Sequence, residues 1–144
     1  MLAYAIAKYL ASKVDGLTYD EDDVAGNVFV GWMPETPDVC VAVMAQPGLA
    51  NMSKSPTMLP GIQLIVRNAV EDTGYTLALA CQAELDCLDQ TVLDPGGPDE
   101  VRIITSTATT SDPASMGRDE NERCEWSVNL QLRIVRPTEL RPNA

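Results

Sequence analysis

From Cys124 to Ile134 the chain alternates without a break. Cys124, Trp126, Val128, Leu130, Leu132 and Ile134 are apolar, and Glu125, Ser127, Asn129, Gln131 and Arg133 between them are polar. A period of two over such a length describes a β-strand with one dry face and one wet face. A strand of this kind needs partners on both sides and a second layer over its dry face. The polar run from Asp112 to Arg123 feeds directly into it.

The rest of the chain supplies those partners. Leu2, Ile6, Tyr9, Leu10 and Val14 recur at helical spacing and predict a helix over Leu2–Val14, stopped near Gly16. An acidic loop, Asp20-Glu-Asp-Asp23, follows. A calcium loop fails here on spacing, because Ala25 stands where the turn glycine belongs and Gly31 where the closing Glu belongs. Val28–Met33 predicts a short strand, Pro34-Glu-Thr-Pro37 a rigid break, and Asp38–Ala45 a strand covered on both faces. Gln46–Pro60 is a long loop carrying Leu49, Met52, Met58 and Leu59. Apolar residues on such a loop either order against a partner or fold back onto their own domain. Ile62, Leu64 and Val66 predict a third strand.

Asn68 then stands as a cap, with Glu71 three residues on, for a second helix with the buried stripe Val70, Gly74, Leu77, Cys81, Leu85, Leu88. Gly74 costs about 1 kcal/mol of helix propensity and is tolerable where a helix crosses a sheet closely. Glu71, Gln82, Asp86 and Asp89 form the opposite, solvent-facing side. After the turn Asp94-Pro-Gly-Gly-Pro98, Val101–Ala108 predicts a fourth strand, and Thr109–Arg123 a second loop before the long fifth strand. The order α-β-β-β-α-β-β predicts an α+β fold, a mainly antiparallel sheet of about five strands with two helices packed on it. Residues 1–137 form one domain on this reading and 138–144 a flexible C-terminal end.

Composition narrows the function. With 21 acids against 10 bases, the net charge of −11 opposes a phosphate-gripping face. The imbalance is local: between Asn68 and Val101 stand Glu71, Asp72, Glu84, Asp86, Asp89, Asp94, Asp99 and Glu100, with no base among them. There is no histidine, which removes the usual general base and the commonest metal ligand. Cys40, Cys81, Cys87 and Cys124 form no C-x-x-C pair and read as buried thiols in a reducing compartment. No apolar run reaches membrane-spanning length. A metal-dependent hydrolase using carboxylates alone, for instance Asp20, Asp22, Asp119 and Glu120, is the enzymatic alternative, and no base or nucleophile accompanies them.

Three segments together resemble the tail terminator, or minor capsid, proteins of tailed bacteriophages. They are Pro34-Glu-Thr-Pro-Asp-Val-Cys-Val-Ala-Val43, Pro60-Gly-Ile-Gln-Leu-Ile-Val-Arg67, and Met116-Gly-Arg-Asp-Glu-Asn-Glu-Arg123 leading into Trp126-Ser-Val-Asn-Leu-Gln-Leu-Arg133. The resemblance runs in order over nearly the whole chain. It implies a structural virion protein without catalysis or cofactor, assembled in the host bacterial cytoplasm and placed at the tail–head junction. It implies a homo-oligomeric ring, usually a hexamer, on the finished tail tube, contacting the major tail tube protein and a head-completion or neck protein. DNA passes through such a ring without specific binding. Another neck component, a head-completion or head–tail joining protein, is the alternative.

On that reading Met52, Lys54 and Met58 of the long loop, with Arg67, Arg118, Asp119, Glu120 and Arg123, are candidates for subunit or tube contacts. For Arg67 the alternative is an ion pair within its own domain, and for the Arg118–Arg123 charges it is plain solvation. Glu71, Asp86 and Asp89 are candidates for an acidic lumen, since carboxylates repel phosphate.

Overall fold

The computed structural model describes residues 1–22, 25–49 and 57–135. Helix α1, Leu2–Lys13, buries Leu2, Ile6 and Leu10, with Ala3, Ala5 and Ala7 filling the space between them. Lys13 in its last turn complements the negative helix end. The N–H of Val14 closes the helix on Leu10 O at 2.8 Å. Gly16, at φ +86°, then turns the chain in a conformation that costs a side-chain-bearing residue.

The sheet is built around β7, Cys124–Val135. Strand β3, Thr57–Asn68, lies antiparallel on one side of it, with Leu64 opposite Val128 and Arg67 opposite Glu125. Strand β2, Cys40–Leu49, pairs antiparallel with β3, and β1, Val28–Val30, pairs parallel with β2. The other side of β7 is shared end to end by two strands. β5, Val101–Ala108, pairs with its C-terminal half, and β6, Ala114–Arg118, with its N-terminal end. β4, Asp89–Leu93, adds to β5, so the order is β1-β2-β3-β7-β5-β4 with β6 beside β7.

The alternation of β7 turns Val128, Leu130, Leu132 and Ile134 toward the same side as Val41, Val43, Ile62, Leu64 and Val66. Both helices cover that side and complete one apolar core. Helix α2, Glu71–Leu85, crosses the sheet above β7 and β3. Gly74 makes the crossing close: a Cβ there would stand 3.2 Å from the Trp126 indole and 3.1 Å from Asn68 Cβ. Lys8 ties α1 to the turn between β4 and β5 through Asp94 at 3.2 Å and Asp99 at 3.0 Å.

The α+β class holds, with a mainly antiparallel sheet, but there are seven strands among the described residues and β1–β2 is parallel. Both additional strands, β4 and β6, lie against strands already expected. Helix α2 stops at Leu85 and does not run on to Leu88, because β5 captures the chain there. Asp86 Oδ1 accepts from Ala108 N at 2.8 Å, Cys87 N donates to Ser106 O at 2.9 Å, and Ser106 Oγ bridges Leu85 O and Leu88 N. Asp89 therefore belongs to a strand.

The helix start is also different. Asn68 is the buried end of β3, and its Oδ1 accepts from Val70 N at 2.9 Å, a turn made before the helix begins. Val70 is 57% exposed and lies outside the buried stripe. Gln82, expected in solvent, is buried and donates to Ser111 O at 2.9 Å. Much of the Gln46–Pro60 stretch is strand, with Leu49 opposite Leu59. Met52 and Lys54 lie outside the described residues, as does the 138–144 end.

Candidate functional site: a crossover loop clamped by two buried arginines

Joining parallel strands β1 and β2 requires a connection across one face of the sheet. Here it is residues 31–39, and it crosses the face opposite the helices. Two arginines reach it from that face. Arg67, at the end of β3, is 3% exposed. Its Nη1 donates to Pro34 O at 2.6 Å, its Nη2 to Pro37 O, and its Nε to Asp38 O at 3.4 Å. Arg123, just before β7, is 6% exposed. Its Nη1 donates to Glu35 O and to Asp38 Oδ1 at 3.2 Å, and its Nε to Asp119 Oδ2 at 2.8 Å. A guanidinium offers five donors in a rigid plane, and a loop of prolines offers carbonyls it cannot satisfy by its own N–H groups. The loop is thereby held in one shape over Cys40 and Ala42, both fully buried.

The β6–β7 turn, residues 119–123, is internally satisfied in the same way. Asp119 Oδ1 accepts from the backbone N–H groups of Asn121 and Arg123, each at 2.9 Å. Arg118 Nη1 donates to Glu122 O at 2.7 Å. Burial alone would raise the Asp119 carboxyl, but these N–H groups and the Arg123 guanidinium hold it below the ordinary aspartate value. Around the clamp, Trp32 is 49% exposed and lies edge-on to Phe29 at 5.9 Å, and Met116 on β6 is 47% exposed.

The structure therefore gathers Pro34–Asp38, Arg67 and Arg118–Arg123, which are far apart in sequence, at one end of the sheet. Arg67 bonds carbonyls, not the carboxylate considered as its intradomain partner. Arg118 and Glu120 are exposed there, and Asp119 is half-buried. Met58, on β3, is partly buried against the core. The three lumen candidates do not form one patch. Glu71 begins α2 and Asp86 caps its far end, about 22 Å away for a helix of 15 residues. Asp89 is exposed near Asp86.

Chemistry of other kinds finds little purchase. Burial pushes the Cys40 thiol up to about 11 and the Cys81 thiol to about 12, so neither is a thiolate near neutrality. Asp20 spends its carboxylate on the N–H groups of Asp22 and Ala25, each at 3.0 Å. Among the described residues, no group of three or more His, Cys, Asp or Glu side chains is placed to hold a metal ion. Nor is any helix among them long and apolar enough to cross a membrane.

The domain is of the α+β class, and Asp20, Arg67, Asp119 and Arg123 are committed to shaping its own loops. The chain matches the family described as bacteriophage tail terminator protein over residues 9–136, from within α1 to just past β7, and it belongs to that family. No curated protein matches it. It is a structural protein of the phage tail, and as a virion component it works in contact with other tail and head proteins.

Proposed function

We propose that the protein closes the end of the tail tube as a ring, usually of six copies, stops tube polymerisation and offers the surface to which the head attaches. The observation that carries this is the clamp. Terminating a tube requires a surface that fits the last tube ring without repeating the tube's own growing end, and a loop held rigidly over a sheet provides such a surface. Arg67 and Arg123 act indirectly in this reading, by fixing the loop. Arg118, Glu120, Met58 and, from the stretch that joins β2 to β3 in sequence, Met52 and Lys54 make the contacts to tube and neighbouring subunits. Glu71 at one end of α2, and separately Asp86 and Asp89 at the other, face the path of DNA, which passes without specific binding. Assembly takes place in the host bacterial cytoplasm, and the finished ring sits between the tube and a neck protein.

The test is assembly of virions without this protein. Tails of irregular, excessive length that never join heads are expected. Tails of correct length with a defect only at the head would overturn the capping role and assign the protein to the neck.

A further inference from the structure

The crossover loop, residues 31–39, carries Trp32, the largest exposed apolar side chain among the described residues. The chain is fixed on both sides of it. Before it, Gly31 turns at φ +85° and its N–H donates to Val43 O at 2.9 Å. After it, Pro34 is buried and its carbonyl accepts from Arg67 Nη1 at 2.6 Å. Met33 is half-buried, with its Sδ 3.1 Å from Cys40 Sγ. Trp32 stands out from the loop, its ring edge-on to the buried Phe29 with the two planes at 71°.

Single apolar residues scattered over a surface need no explanation. This one differs in being held at its place by a loop whose shape two guanidiniums set. A side chain already fixed loses less freedom on binding, and tryptophan is among the residue types that carry most of the energy at protein interfaces. The charges around it say what kind of partner fits. Across residues 31–39, Arg67 and residues 118–125, six carboxylates stand against three guanidiniums. Arg67 and Arg123 are buried and spent on the loop, whereas Glu35, Asp38, Glu120 and Glu122 are exposed. A surface that receives the indole meets those carboxylates and is matched by bases. A second copy brings a net charge of −11 to the same place and nucleic acid brings phosphate, so both fit less well.

We infer that Trp32 is the anchor of the capping contact and enters an apolar pocket, rimmed by Lys or Arg, on the last ring of the tube. The inference rests on the capping reading above and adds the residue and the partner chemistry through which capping works.

Open tubes, harvested from assembly without this protein, are the probe, and binding of the full chain to them is measured by co-sedimentation. Trp32→Ala is expected to bind about 30-fold more weakly than wild type. Val92→Ala, at a residue 45% exposed on the edge strand β4, is expected to bind as wild type does. Arg123 holds the carbonyl of Glu35 and not its carboxylate. Glu35→Lys is therefore expected to keep the loop and to weaken binding about threefold, less so as salt is raised. Equal binding by Trp32→Ala and wild type, or unchanged or tighter binding by Glu35→Lys, overturns the inference and leaves capping standing. Tubes that do not bind wild type overturn capping and the inference with it.

Hydrogen exchange over residues 34–40 separates an anchor from a strut. In Trp32→Ala it is expected to match wild type, because the guanidiniums hold the loop. Weaker binding accompanied by faster exchange there would make the indole a support of the loop and overturn its role as anchor.

Discussion

Under the helices, the sheet is closed by apolar side chains from both layers, Leu64 and Val128 meeting Ile6, Leu10 and Ala78 in one cluster. On its other face, near Arg67, it is closed by a backbone loop whose carbonyls fold over two guanidinium groups. The difference lies in directionality. Apolar burial depends on area and packing, and many side-chain sets satisfy it. Bonds from a guanidinium to carbonyls fix angles as well as distance, so they hold one loop shape and no other. The helix side stabilises the fold, and the clamped side sets the form of the surface presented to a partner.

Substitutions on each face test whether the two are separable. Trp126 packs against the core, edge-on to Tyr75 at 5.2 Å. Trp126→Ala is expected to cost about 3–5 kcal/mol in denaturant unfolding and to loosen the whole domain. Arg67→Met is expected to cost less, about 2–3 kcal/mol, by leaving three carbonyls without donors. Its effect should be local: hydrogen exchange should quicken over residues 34–40 and leave α1 and α2 protected. Equal loss of helix protection in the two variants would break the comparison.

A finer probe is Gly74→Ala. The added Cβ gains about 1 kcal/mol of helix propensity, but it presses on a packed indole at 3.2 Å, and overpacking of this kind costs about 1–3 kcal/mol. A net loss of about 1 kcal/mol in the unfolding free energy is expected. A gain would show that the crossing has room to spare.

The smallest expected effect is on pH. The Asp119 carboxyl lies below its ordinary value of 3.8 in the folded chain. Its stabilisation is therefore complete above that value and is lost as pH falls through the lower folded value. Acid titration of wild type against Asp119→Asn should show this component vanish in the variant, with the change confined to the clamped end. Identical acid profiles would mean that the turn does not depend on the carboxylate.

Where side chains repeat in a simple period, the sequence alone was enough. Helix α1 ends one residue from its expected limit, β5 spans Val101–Ala108 as read, β7 obeys its alternation from Val128 onward, though Ser127 of its expected wet face is buried at the clamped end, and Gly74 marks a close helix crossing. These are local consequences of burial on one face of a regular element. The edge strands β4 and β6 were illegible because they are short and mostly exposed, β6 entirely so, and burial prints no period on them. They exist because β5 and β7 offer backbone groups that need partners. The site divides in the same way. Arg67 and Arg123 stood out as charges beside strands, but all three partners of Arg67 and one of Arg123 are carbonyls, which every residue carries and which no sequence pattern reveals. Only the crossing of residues 31–39 over the sheet decided that these two arginines would meet the same loop.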